Sequence, residues 1–234
     1  MKTGHYHPNT ILIRRTCQIF RDMGFEIAQG PEIETEHYNF DALNIPEDHP
    51  ARDMWDTFWL EPNSLGDLLR THTSSVQIRF MEENKPPFRI ISPGRVYRYE
   101  ATDATHEAQF CQLEGLVIGE GVTLGHLKGT LDTYFSSLFG VDMEVRLRPS
   151  FFPFVEPGVE IDMRPKSKEG DGPWLEIMGA GMVHPKVLRE VGIDTDKYQG
   201  FAFGGGIDRL SMLRYGIDDV RLLYNGDLRL INQF

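Results

Sequence analysis

Apolar residues recur along the chain at two spacings, helical near the start and strand-like through most of the rest. Leu12, Thr16, Ile19, Phe20 and Met23 fall on one face at helical spacing, with Asn9 or Thr10 as the cap and Gly24 as the stop. The segment FEIAQGPEIETEH reads as a strand broken at Gly30-Pro31. Residues 40–56 are rich in turn formers and predict a long ordered loop. Residues 57–60 and 68–71 predict a short hairpin around 63–66. A second helix is expected over 73–83 and a third over 123–139, the latter ended by Gly140. Residues 88–92 and 94–100 predict two strands around a Pro-Gly turn, followed by a polar loop at 101–109 and a returning strand at 110–118. Further strands are expected at 143–148, 159–164 and 173–178, with a helix starting at Pro185. A short strand at 201–203 runs through three glycines into a helix from 206 to 215. Many strands joined by short turns predict an α+β fold with a mostly antiparallel sheet flanked by helices.

Composition narrows the class. The chain has 234 residues, 40% apolar and 11% aromatic, enough for one well-buried core. No run of about 18 apolar residues predicts a membrane span, and the N-terminal MKTGHYHPNT lacks the apolar run of a signal peptide. Cys17 and Cys111 are isolated, so neither a disulfide framework nor a zinc site is expected, which suits a reducing cytoplasm. With 24 Lys plus Arg against 35 Asp plus Glu, the net charge is −11. A chain of that charge is not expected to hold RNA mainly through phosphate neutralisation.

Four segments carry candidate chemistry. Strand alternation puts Arg98 and Glu100 on one face, joined by Gln112 and Glu114 from the returning strand; Tyr97, Tyr99 and Leu113 take the other. Such a face is either solvated and salt-bridged or built for a ligand. The run GFAFGGGIDR ends a strand in glycines before an arginine at a helix start, which fits a tight turn as well as a phosphate site. It matches neither GxGxxG nor a P-loop. Phe151, Phe152 and Phe154 in RPSFFPFVEP fit core packing or an aromatic substrate wall. Thr73 or Ser74 in RTHTSS fits a helix cap, and Glu176 fits an ion pair or a metal ligand.

Together these segments resemble the signature motifs of class II aminoacyl-tRNA synthetases. MGFEIAQGP (23–31) resembles motif 1, Arg98-Tyr-Glu100 with Phe110 resembles motif 2, and GGGIDR (204–209) resembles motif 3. RTHTS, PGRVYR, THEAQFCQLEG, FFPFVEP, GAGMVHP and GFAFG further resemble, in order, the α subunits of bacterial phenylalanyl-tRNA synthetases over nearly the whole chain.

The resemblance implies ATP-dependent activation of phenylalanine and its transfer to tRNA(Phe), with Mg²⁺. Arg98 would hold the α-phosphate and Glu100 the adenine amino group. Phe110 and Arg209 would sandwich the adenine, and His106 would help hold the outer phosphates. His72, Ser74, Gln112 and Glu114 would bind the ammonium of the amino acid, with Trp55 near its carboxylate. Phe152, Phe154 and Val155 would wrap the ring, Ala202 would set pocket depth, Gly204 would line the site and Glu176 would be the metal ligand. Pro31 would sit at a subunit interface, with a larger β subunit or a second copy as partner.

Two departures stand out. No heptad pattern precedes His7, where the family usually carries a coiled coil, and Cys111 stands where related sequences often have His. Residues 1–234 are therefore expected to form one catalytic domain without coiled-coil, editing or anticodon-binding parts. A synthetase-like binding module, or a ligase for another amino acid, are the competing expectations.

Overall fold

The computed structural model describes residues 4–50, 52, 57–61, 66–166 and 172–234. Helix α1 (Pro8–Asp22) buries Leu12, Thr16, Ile19 and Phe20, the face that the spacing predicts. The cap differs: His7, two residues before Asn9, accepts the N–H of Asn9 through its ring. Proline at the first helical position allows that earlier start, because its missing N–H needs no partner there. Strands β1 (Glu26–Ile27) and β2 (Ile33–Thr35) flank the break at Gly30-Pro31.

The end of the expected strand segment, at 36–37, is helical instead, and the expected long loop at 40–56 holds a 3₁₀ turn, with its residues 51 and 53–56 outside the described residues. Helix α2 (Glu36–Asn39) and a 3₁₀ turn (Asp41–Leu43) bury Phe40, Ala42, Leu43 and Ile45. Turn-forming residues hid these apolar anchors. Strand β3 (Asp67–Leu69) pairs with β2, and Trp59 bridges to Leu68, so the hairpin pairing forms; of its expected tip at 63–66, residues 63–65 lie outside the described residues.

Helix α3 (Ser75–Glu83) precedes strands β4 (Phe88–Tyr97) and β5 (Gln109–Gly119). The expected turn at Pro93-Gly94 is absent, and β4 runs straight through both residues. Its pairing with β1 stops at Ile91, so the side of Pro93 away from β5 faces no ladder that needs its N–H. Gly94 is required because the Arg70 guanidinium lies where a Cβ would stand, at 2.2 Å.

Helix α4 (Leu124–Phe139) starts on a Thr123–His126 capping box and ends at Gly140, φ 74°. Strands β6 (Met143–Phe152), β7 (Val155–Pro165) and β8 (Leu175–Val183) follow, then helix α5 (Pro185–Glu190). Strand β9 (Gln199–Gly206) leads into helix α6 (Ile207–Tyr215), a 3₁₀ turn (Val220–Leu223) and helix α7 (Leu228–Ile231). The three glycines belong to β9 rather than to a turn.

Among the described residues the main sheet has seven strands in the order β1-β4-β5-β9-β8-β7-β6. β1 runs parallel to β4 and every other pairing is antiparallel. Alternation sorts the two faces. Leu113, Ile161, Phe201 and Phe203 join Leu12, Phe20, Leu131 and Phe135 in one apolar cluster. Ile90, Leu116, Ala202 and Val155 join Phe40, Leu43, Val76 and Leu188 in a second, and the candidate site opens on that side.

Candidate active site

A cavity of about 240 Å³ is lined by His72, Ser74, Arg98, Gln112, Glu114, Phe152, Phe154, Val155, Ala202 and Gly204, together with Gly179 and Ala180. Nearly the whole set of residues expected to hold the amino acid therefore converges. Trp55 lies outside the described residues.

Register explains the convergence. Glu114 pairs with Ser92 on one side and Gly204 on the other, and Gln112 pairs with Gly94 and Gly206. Glycine is needed at 204 because a Cβ there would stand 2.8 Å from Glu114 Oε2. The close approach that glycine permits is thus to a carboxylate of the chain, not to a turn.

One end of the cavity is aromatic. Phe152 and Phe154 flank a tight turn between β6 and β7 and stack at 6.0 Å. Phe152 presses on Gly179, where a Cβ would meet its ring at 2.7 Å. Phe151 alternates to the outside, 70% exposed, and stacks on His49 at 6.4 Å.

The other end is polar and dry. Every residue of RTHTSS is buried. Ser74 occupies the N-cap position of α3, yet its side chain makes no capping bond. Its hydroxyl donates to Glu114 Oε1 at 3.1 Å and that of Thr73 to Oε2 at 3.4 Å. Capping is overridden because a buried carboxylate left without donors is costly. Gln77 adds an amide donor to Oε1 from the next turn of α3. Sequence reading missed Gln77; the available signal was its place three residues after Ser74, on the same helix face.

Burial pushes the Glu114 carboxyl up to about 8, although the three donors oppose the shift. Burial and the Arg98 charge pull His72 down to about 3, so its ring is neutral near pH 7.

Arg98 stands where the cavity meets its surroundings. Its Nε donates to Thr71 O at 3.0 Å, and its guanidinium lies 5.1 Å from the centroid of Phe110. Nη1 is 3.9 Å from Glu100. Thr71 is held in turn by Asn39, which accepts its N–H and donates to its hydroxyl. Glu100 follows the strand and, unlike Arg98, does not line the cavity: Arg98 N–H still donates across to Ala108 O at 3.0 Å, whereas Glu100 N–H turns back onto Arg98 O at 2.9 Å.

The remaining expected residues cluster at the same end of the sheet. Arg98 follows the end of β4, Phe110 opens β5, and exposed Arg209 follows the end of β9 on the first turn of α6. His106 lies in the exposed loop joining β4 to β5, 3.0 Å from Asp103. Glu176 sits on β8, where Arg148 Nη2 reaches its Oε2 at 2.6 Å. Among the described residues no three His, Cys, Asp or Glu side chains group closely enough to hold a metal by themselves.

Comparison with known proteins agrees with this geometry. The family model for the class II core domain (F) of tRNA synthetases matches residues 1–234. A phenylalanine–tRNA ligase alpha subunit of Dehalococcoides mccartyi is 56% identical over 99% of this chain and 70% of its own length. That of Caldanaerobacter subterraneus subsp. tengcongensis is 54% identical over 100% and 70%. That of Bacillus mycoides is 51% identical with the same coverage. The crystal structure of pyrrolysyl-tRNA synthetase from Desulfitobacterium hafniense shares the fold at a TM-score of 0.70 and 22% identity, covering 94% of this chain and 74% of that one. The chain thus belongs to the class II tRNA synthetase core-domain family, alongside the alpha subunits of phenylalanine–tRNA ligases.

Proposed function

We propose that this chain activates phenylalanine with ATP and passes it to tRNA(Phe), as a ligase in protein biosynthesis. One observation carries the reading: a cavity with an aromatic end, a buried carboxylate at the other, and an arginine where it opens.

The aromatic ring of phenylalanine fits between Phe152, Phe154 and Val155, with Ala202 setting the depth. Its ammonium fits the Glu114, Gln112, Ser74 and His72 end, and its carboxylate then points toward Arg98. Trp55 belongs near that carboxylate. The carboxylate is already a nucleophile, so no catalytic base is required. It attacks the α-phosphorus of ATP, forming the acyl phosphate bond as the bond to pyrophosphate breaks. A terminal ribose hydroxyl of the tRNA then attacks the acyl carbon and releases AMP.

Arg98 suits the transition state because a guanidinium stays charged and matches phosphate oxygens with its fork. Phe110 and Arg209 sandwich the adenine, Glu100 accepts from its amino group, and His106 with Arg209 reaches the outer phosphates. Gly204 lines the floor beside Glu114. Class II synthetases use ATP with Mg²⁺, which neutralises phosphate charge when bound. Glu176 is the carboxylate assigned to it, at the cost of exchanging its Arg148 partner.

The relatives are named as alpha subunits, and we read this chain as one part of a larger assembly too. Exposed Pro31 and Ile33 support an interface there, with a β subunit or a second copy. Residues 1–234 act as a single catalytic domain in this reading, and its setting is the cytoplasm; among the described residues no helix is long and apolar enough to cross a membrane.

Pyrophosphate exchange with a panel of amino acids is the test. Phenylalanine should give the highest rate, and tyrosine a rate lower by about a hundredfold, since an apolar pocket rejects an added hydroxyl only weakly. Absence of phenylalanine-dependent exchange would leave a binding module as the better reading. Preference for another amino acid would point to a ligase of different specificity.

A further inference from the structure

Phe110 and Arg209, assigned above to opposite faces of the adenine, are linked by one buried carboxylate: it directly precedes Arg209 and binds the N–H of the residue after Phe110. That carboxylate is Asp208, 4% exposed. Its Oδ2 accepts the backbone N–H of Cys111 at 2.6 Å. Its Oδ1 accepts the Asn9 amide at 2.8 Å and the Tyr224 hydroxyl at 2.5 Å. Asn9 is oriented by Ser211, whose hydroxyl donates to Asn9 Oδ1 at 2.6 Å. Helix α1, strand β5, helix α6 and the turn after it meet at this one group.

A carboxylate buried among neutral donors is an expensive way to join four elements, because an apolar contact joins them without desolvating a charge. What it supplies is direction. Three donors occupy two oxygens, and a neutral amide in its place offers only one acceptor atom. The bond to Cys111 N–H fixes the start of β5 against the start of α6, and with it the separation of Phe110 from Arg209. The same turn also reaches the loop that carries His106: Val220 N–H donates to Ala104 O at 2.9 Å. Segment 219–224 therefore braces the proposed ATP end twice, through Tyr224 and through Val220.

We infer that Asp208 and Tyr224 are positioning residues that hold Phe110 and Arg209 at the spacing of a purine before ATP arrives. This rests on the ATP-binding reading above. A positioning role differs from plain stabilisation in what it leaves alone: the amino-acid cavity is walled by other residues, so only the nucleotide should be affected.

The test is pyrophosphate exchange by the full chain in its native assembly, with ATP and phenylalanine varied separately and thermal midpoints recorded. Tyr224→Phe deletes one hydroxyl and should raise the ATP KM about fivefold, with the phenylalanine KM unchanged. Asp208→Asn should raise it about tenfold or more in the same pattern. Thr16→Val, which breaks the buried Thr16–Tyr134 bond of 3.0 Å between α1 and α4, two turns along α1 from Asn9, should lower the midpoint and leave both KM values unchanged. Parallel rises in both KM values, or a lowered midpoint with an unchanged ATP KM in Tyr224→Phe, would overturn the inference. If Asp208→Asn fails to fold, Tyr224→Phe still decides. Arg209→Ala separates the two layers of argument. An unchanged ATP KM in that variant defeats the ATP reading itself. A raised one, beside an unaffected Tyr224→Phe, defeats only the positioning role.

Discussion

The two ends of the candidate site are built on opposite principles. The amino-acid end is enclosed and finished before any ligand arrives: Glu114 and His72 are buried, and its glycines leave no spare room. The nucleotide end is open, with Arg209 and His106 exposed and the β4–β5 loop facing solvent. Enclosure favours discrimination, since a buried polar group left unpaired is costly and a filled apolar wall excludes larger rings. Openness suits a large charged substrate that must enter and leave as pyrophosphate and AMP. Arg98 lines the cavity and also lies 5.1 Å from Phe110, so in the proposed reading it stands where the reacting bond would form.

The difference can be broken or sharpened by experiment. Arg98→Ala should show the largest effect, with exchange falling at least about a hundredfold, as loss of a transition-state donor commonly does. Near-normal exchange would remove Arg98 from the junction. Gly179→Ala comes next. Its Cβ would stand 2.7 Å from the Phe152 ring, so the phenylalanine KM should rise by about tenfold while the ATP KM holds. Equal rises in the two would mean that the ends are not separate.

The third test uses acidity. The Glu114 carboxyl is raised from 4.5 to about 8 by burial, so below that pH the free protein carries it neutral. Only the ionised form attracts an ammonium, so kcat/KM for phenylalanine should rise as pH increases through about 8. Stability should move the other way. A carboxyl that binds its proton more tightly when folded stabilises the fold at low pH, and that contribution is lost as pH climbs from 4.5 to about 8. Glu114→Gln should flatten both profiles, read by exchange kinetics and thermal melts. The smallest effect should come from salt. Between low and high ionic strength the ATP KM should rise about two- to threefold, because exposed charges are screened, with the phenylalanine KM nearly constant.

Much of this was legible in local pattern. Alternation around Arg98, Gln112 and Glu114 placed three polar side chains on one sheet face, and they line one cavity. Alternation did not carry to Glu100, since the chain turns locally after Arg98, with Glu100 N–H donating to Arg98 O. The Pro-Gly pair at 93–94 looked like a turn because its local preference is strong, yet Arg70 packing and a missing ladder neighbour made it strand. Ser74 looked like a cap for the same local reason, until a carboxylate forty residues away claimed its hydroxyl.

By itself the sequence determined the helix and strand periods, most turn positions and, through its motifs, the family and the candidates for the site. Tertiary structure decided which of those residues meet, which carboxyl is pushed toward neutrality, and that Gln77 and Asp208 matter at all. The reason is physical. Period and turn chemistry are set by neighbours a few bonds away, whereas burial and hydrogen-bond partners come from segments distant along the chain and exist only once the sheet has closed over them.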